Sequence, residues 1–178
     1  SESNIETDAS SSVTVAIPEM GRFLIDNSSV VSRTKNSNEV KVEKGQIRKF
    51  EGDASDILTV LTPLATFTEL YKGGAFRLHV DENGMCKLTV ESGWVIVNIK
   101  EFDSYVPKNF GCLITRGKYA IPYPSDSSPQ LINLLENFSG INDPSVGTIL
   151  SLMTTKESLS LWHIIQLIST ENRSIAFN

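Results

Sequence analysis

A run of short strands from Val13 to about Tyr123, broken at regular intervals by turn residues, limits the fold of this chain more than any other feature. Val13-Thr14-Val15-Ala16-Ile17 carries β-branched residues at alternate positions and stops at Pro18. Phe23-Leu24-Ile25 follows Gly21 and stops at Asp26-Asn27-Ser28, and Val40-Lys41-Val42-Glu43 alternates strictly until Lys44-Gly45. Apolar Ile57 to Leu61 ends at Thr62-Pro63. Phe76-Arg77-Leu78-His79-Val80 alternates up to Asp81-Glu82-Asn83-Gly84, a turn in which glycine takes a positive φ at little cost. Lys87-Leu88-Thr89-Val90 and Trp94-Val95-Ile96-Val97 follow, separated by Ser92-Gly93. Strands spaced by roughly ten residues predict a β-sandwich or barrel. No helical period separates them, which argues against parallel βαβ units.

After Pro122-Tyr123-Pro124 the period changes. Leu131, Leu134, Leu135 and Phe138 are spaced i, i+3, i+4, i+7, as are Val146, Ile149, Leu150 and Met153, and again Leu161, Ile164, Ile165 and Ile168. Each set is one apolar stripe on a helix. Ser128-Pro129 and Asp143-Pro144 place proline at a first helical position behind a capping residue, and Gly140 stops the first helix. The third helix opens near Thr155 and Glu157 without a clean capping box. Three short amphipathic helices bury their stripes only against each other and one end of the β region. The expected division is a β domain over 1–124 and a helical tail over 125–178 packed on it. A weak internal repeat also pairs Val42-Glu43-Lys44-Gly45-Gln46-Ile47 with Val90-Glu91-Ser92-Gly93-Trp94-Val95. It pairs Ile5-Glu6-Thr7-Asp8 with Val60-Leu61-Thr62-Pro63 too, at offsets of roughly 50 residues, which reads either as a duplicated β unit or as coincidence among valine-rich strands.

Composition narrows the chemistry. The 178 residues carry 16 Lys+Arg against 21 Asp+Glu, a net charge of −5 that leaves no electrostatic footprint for nucleic acid. No apolar run reaches the length that spans a membrane as a helix, and no charged-then-apolar leader pattern opens the chain. Two histidines and two cysteines do not assemble a zinc site of the usual spacing, so no metal, cofactor or catalytic residue is assigned. His79 reads as a solvated strand histidine and His163 as a packed or surface helix histidine. Cys86 and Cys112 share the parity of core residues and read as buried inert thiols, with a disulfide closing about 26 residues as the alternative. Lys72-Gly73-Gly74 lacks the residues of a phosphate loop, and the carboxylates Asp53, Asp56, Asp81 and Glu82 read as turn devices rather than a glycosidase pair. Trp94, Trp162 and the tyrosines suit either a sandwich core or a platform for stacking on sugars.

The order of these segments resembles that of FecR-type domains. Ile5-Glu6-Thr7-Asp8, Ser12-Val13-Thr14-Val15, Gly21-Arg22-Phe23-Leu24-Ile25 and Asn27-Ser28 are similar to the opening of that family. Val42 to Ile47 resembles its "L-x-x-G-x-(I/V)" element, and Val60-Leu61-Thr62-Pro63-Leu64-Ala65-Thr66 its "V-x-T-P-x-A-x" strand. Phe76 to Asp81 and Val90 to Val95 resemble its long "F-x-V-x-V-D … V-x-x-G-x-V" stretch, and Leu159-Ser160-Leu161-Trp162-His163 a subfamily with a short helical tail. Gly73-Gly74-Ala75-Phe76 departs from the family's "G-T-x-F", and Gly74 stands where the subfamily has cysteine. The family's sigma-factor-binding N-terminal region and transmembrane helix lie outside this chain.

The resemblance implies a mainly β fold, a β-sandwich of jelly-roll type with a small C-terminal α-helical appendage, facing the periplasm or cell surface and anchored to the inner membrane by an upstream helix. It implies signal relay by protein contact rather than catalysis, in the manner of an anti-sigma or transmembrane-sensor regulator, with an envelope or transporter signalling component as partner. An exposed strand edge or apolar patch is the expected contact surface, with Trp94, Phe102 and Tyr105 as its candidate residues. A carbohydrate-binding β-sandwich is the alternative. A cupin-like enzyme would need a His/Glu metal cluster that two distant histidines do not supply.

Overall fold

A computed structural model describes residues 3–99, 102–140 and 142–167. Thirteen strands form one curled sheet: β1 (Asn4–Glu6), β2 (Val13–Ile17), β3 (Gly21–Ile25), β4 (Val30–Arg33), β5 (Glu39–Lys49), β6 (Thr59–Leu61), β7 (Thr66–Glu69), β8 (Ala75–Val80), β9 (Cys86–Ser92), β10 (Trp94–Ile99), β11 (Phe102–Pro107), β12 (Phe110–Ile114) and β13 (Tyr123–Pro124). Three helices follow, α1 (Pro129–Glu136), α2 (Val146–Leu152) and α3 (Ser158–Leu167). The mainly β fold with C-terminal helices is the one expected. No helix among the described residues is long and apolar enough to cross a membrane.

The long strand β5 organises the sheet. Its first part pairs with β4 and, in parallel, with β6; its second part pairs antiparallel with β3 and β8. The front sheet therefore runs β1-β4-β5-β6-β7-β10-β11 and the back sheet β2-β3-β5-β8-β9-β12-β13. Both contribute to one apolar core, with Val40, Val42, Val60, Phe67, Val95 and Val97 from the front and Phe23, Ile47, Phe76, Leu78, Leu88 and Cys112 from the back.

Lys44-Gly45 does not end a strand, as its sequence suggests. It is the corner at which β5 leaves the front sheet for the back one. Buried positions switch there from Val40 and Val42 to Ile47 and Lys49, so the side chains facing the core change from even to odd. One extra outward residue accounts for the slip, in the manner of a bulge. Gly45, at φ +97°, supplies the backbone that a side-chained residue adopts only with strain. The second copy of the motif does the same in reverse. At Gly93, φ +78°, the chain leaves β9 of the back sheet for β10 of the front one, and the buried parity changes from Leu88 and Val90 to Val95 and Val97. The shared Val-Glu-x-Gly pattern thus marks two corners of equivalent design.

The helices enclose a second apolar cluster of Ile121, Tyr123, Leu131, Leu135, Phe138, Val146, Ile149 and Ile164. Ser128 caps α1 by accepting from the Leu131 N–H, with Pro129 at its first position, as read from the sequence. Two expectations change. Asp143-Pro144 does not open α2; the Asp143 carboxylate accepts from the Ser139 and Ser145 N–H groups, and α2 begins at Val146. A capping box does precede α3: the Thr154 N–H and hydroxyl donate to the Glu157 carboxylate, which also accepts from the buried Ser127 hydroxyl.

Candidate functional site

The outer face of the front sheet carries exposed aromatic surface. Alternation along β10 points Trp94, Ile96 and Asn98 outward and Val95 and Val97 into the core. Alternation along β11 points Asp103, Tyr105 and Pro107 outward. Trp94 lies opposite Pro107, and Ile96 lies between Thr68 and Tyr105 in a cross-strand row that continues to Thr59. Trp94 is 38% exposed and Trp162, on α3, 50%. The Trp162 ring meets Tyr105 edge-on at 6.4 Å. Tyr71 is also exposed, next to Leu70, whose N–H donates to the Trp94 carbonyl. Trp94, Ile96, Tyr105 and Trp162 thus form a largely uncharged surface bounded by Asp103.

The three residues singled out from sequence divide between two environments. Trp94 and Tyr105 share this outer face. Phe102 has the opposite parity on β11 and packs edge-on against Tyr119 at 5.4 Å and His163 at 6.1 Å, within the helical cluster. Strict alternation along Phe102–Pro107 already separates Phe102 from Tyr105. Trp162, grouped from sequence with Trp94 and the tyrosines only as a candidate platform for sugars, is not among the expected protein-contact residues. Its contact with Tyr105 spans 57 residues, and no local period reports it.

An open strand edge is not what β11 presents, although it pairs on one side with β10 alone. His163 is fully buried against it. Its Nε2 accepts the outward Tyr105 N–H at 3.2 Å, and Nδ1–H donates to the Leu159 carbonyl at 2.8 Å, which assigns the tautomer from the network. The Ser104 hydroxyl donates to the Ala120 carbonyl and the Ser160 hydroxyl to the Pro122 carbonyl, at 2.6 Å for the latter. The bonds made by His163 and Ser160 rotate α3 away from the apolar stripe expected of it. Ser160, His163 and Ile164 are buried, while Leu161 and Ile165 are half-buried and Ile168 lies outside the described residues. Covering an unpaired edge with a helix is one way a β protein avoids unwanted strand pairing. Among the described residues β1 and β2 each pair with one strand, and they flank an apolar cleft of about 260 Å³ lined by Ile5, Val15, Ile17 and Phe23.

Burial holds His163 below the ordinary histidine pKa, against the opposing pull of its bond to the Leu159 carbonyl. The folded pKa is therefore lower than the unfolded one. The stability His163 contributes is complete above the unfolded value and is lost as pH falls through the folded one. Acidification should loosen α3 from β11 with a slope of at most about 1.4 kcal/mol per pH unit from this group. In a Trp94→Phe background, Trp162 fluorescence and amide exchange at Tyr105 should report the change together. His163→Leu should abolish this pH dependence; an unchanged acid transition in that variant would exclude the mechanism.

The remaining chemistry candidates are quiet. His79 is exposed on β8. Cys86 and Cys112 are buried free thiols, opposite Ile114 and Leu88. Burial pushes the Cys86 thiol up to about 11 and Cys112 higher still, so both stay protonated at neutral pH. Among the described residues no group of three or more His, Cys, Asp or Glu is placed to hold a metal ion.

Comparison with known proteins places the fold. Two crystal structures of a proposed anti-sigma factor from Parabacteroides distasonis superpose with a TM-score of 0.59 and 16% identity. In one the match covers 68% of this chain and 59% of the other; in the second it covers 84% and 72%. The chain therefore spans 59% of the length of one of these structures and 72% of the other, and it shares their β-rich architecture. No family model and no curated protein matches it.

Proposed function

We propose that this chain is the protein-binding module of an anti-sigma-type regulator, working by contact rather than by catalysis, and that the outer aromatic face of the front sheet is its contact surface. The observation that carries this reading is the grouping of half-exposed Trp94 and Trp162 with Tyr105 and Ile96 in one largely uncharged patch. Large rigid aromatic residues at a surface are the usual energetic anchors of protein interfaces. The fold shared with the anti-sigma structures supports a role within a regulator, and the FecR-like order of motifs supports the finer reading. In that reading the module sits outside the cytoplasm, held at the inner membrane by a segment beyond this chain, and relays a signal from an envelope or transporter component.

The test is site-specific photocrosslinking from position 96, between Trp94 and Tyr105, in envelope extract, followed by measured binding of the captured protein. Trp94→Ala and Trp162→Ala should each weaken that binding by about 2 kcal/mol, roughly 30-fold. Unchanged affinity in both variants would remove this face from the interface. The same aromatic surface favours one second reading, a carbohydrate-binding sandwich in which Trp94 and Trp162 stack on sugar faces. Tight retention on a glycan array, lost in the same variants and without a protein partner, would select it.

A further inference from the structure

On the opposite side of the molecule, the outer face of the back sheet concentrates positive charge although the chain as a whole carries −5. Arg22 on β3, Arg48 on β5, Arg77 and His79 on β8, and Lys87 on β9 all point outward from adjacent strands. One like pair is directly opposed across the ladder, Arg48 with Arg77, and His79 faces Lys87. Opposed cations cost a sheet stability unless an anion offsets them. One internal anion does so in part. Glu91 accepts from Arg48 Nε and Nη2 at 3.2 and 3.0 Å on one oxygen, and from Arg77 Nε at 2.5 Å on the other. Lys87 approaches Glu136 at 3.5 Å.

The arginines are held in place rather than free in solvent. The Phe50 ring lies 4.7 Å from the Arg22 guanidinium carbon and 5.1 Å from that of Arg48, so it orients both. Among the described residues Arg22 makes no ion pair, and Arg77 engages Glu91 through Nε alone. Both therefore keep N–H groups in the fork geometry that fits a carboxylate.

We infer that this face docks an acidic, extended peptide segment of a protein partner, with Arg22 and Arg77 as the carboxylate-binding residues. Strands β3 and β8 are separated by two ladder spacings, about 10 Å, and alternate residues of an extended segment repeat every 6.6 Å or so, which brings successive carboxylates within reach of long arginine side chains. Glu91 in the centre of the patch disfavours a dense polyanion, whereas a peptide with spaced acids meets the cations around it. The face is separate from the aromatic surface, and the inference does not depend on it.

The full chain is titrated against a short fluorescein-labelled peptide of alternating glutamate and serine, with the glutamine analogue as control, and anisotropy is read at low and physiological ionic strength. The glutamate peptide should bind, more weakly as salt rises. Arg22→Gln and Arg77→Gln should each weaken binding by roughly fivefold, the upper range for an exposed charge pair. Glu91→Gln should tighten it. Lys35→Gln and Lys41→Gln, away from the patch, should leave it unchanged. Circular dichroism and thermal melts confirm that each variant is folded. Binding of both peptides alike, equal loss in the lysine variants, or weaker binding in Glu91→Gln would overturn the assignment. So would preferential, arginine-dependent binding of heparin, which makes the ligand an anionic polysaccharide.

Discussion

Lys49→Met should destabilise the fold by about 3–5 kcal/mol, the cost of removing one partner from a buried ion pair. Lys49 and Glu69 have side chains only 1% exposed. Lys49 Nζ donates to Glu69 Oε1 and to the Gly74 carbonyl, each at 2.8 Å, and Glu69 Oε2 accepts the Leu58 N–H at 3.2 Å. Lys49 belongs to the back-sheet part of β5 and Glu69 to β7 of the front sheet, so the pair joins the two sheets through the core. Burial raises the Glu69 pKa, and the Lys49 ammonium acts against that rise. Without Lys49 a carboxylate remains in the core with no cation, and its pKa climbs further. The sign follows. A carboxyl group whose folded pKa exceeds its unfolded one favours folding most at low pH, and that contribution falls as pH rises through the folded value. The deficit of Lys49→Met should therefore be largest at neutral pH and shrink on acidification. Lys49→Met with Glu69→Leu should lose less than the sum of the single variants, because no charge is left buried. Urea midpoints with unchanged slopes supply the measurement, and strict additivity would refute the coupling.

Neither member of that pair was legible in the sequence, and the reason is general to the fold. A strand reports its own period, so Phe76–Val80, the Asp81–Gly84 turn and the leucine stripe of α1 could be read locally. An inward lysine and an inward glutamate 20 residues apart look like the polar half of any alternating strand until the sheets are assembled. The same limit hid the site. Trp94 and Tyr105 could be named because each sits in a strand pattern, whereas Trp162 joins them only through the docking of α3. Ser160 and His163 show the same limit from the other side, since the apolar stripe leaves both off the buried face. As polar residues they belong on the outside of a helix, but the Tyr105 N–H, left without a strand partner, and the Pro122 carbonyl require an acceptor and a donor there, and His163 and Ser160 supply them and set the rotation of α3. Buried backbone groups must be satisfied, and here that requirement outweighs the apolar stripe.

The corners offer the sharpest test of how the sequence encodes this fold, because one pattern is used twice with different surroundings. A Cβ built on Gly45 would lie 2.1 Å from Ser29 Oγ and 2.4 Å from Ser29 Cα. Ser29 cannot move aside. It is fully buried, its N–H donates to Thr7 Oγ1 at 2.9 Å, its carbonyl accepts the Thr7 N–H at 3.0 Å, and its hydroxyl accepts the Gln46 N–H at 3.0 Å. Gly45→Ala should therefore cost about 2–5 kcal/mol, summing the strain of a positive φ with that of overpacking. At Gly93 the nearest atom to a built Cβ is Gly74 Cα at 3.5 Å, an ordinary contact. Gly93→Ala should cost about 1–2 kcal/mol from backbone strain alone. Thermal and urea unfolding of the two variants would measure the difference. Equal losses would mean that conformational strain, rather than the approach of Ser29, governs both corners. A larger loss at Gly45 would show that this glycine does more than reset the parity of β5. It also admits the β4 end of the front sheet into contact with the point where β5 changes sheets, and a methyl group there would push the two apart.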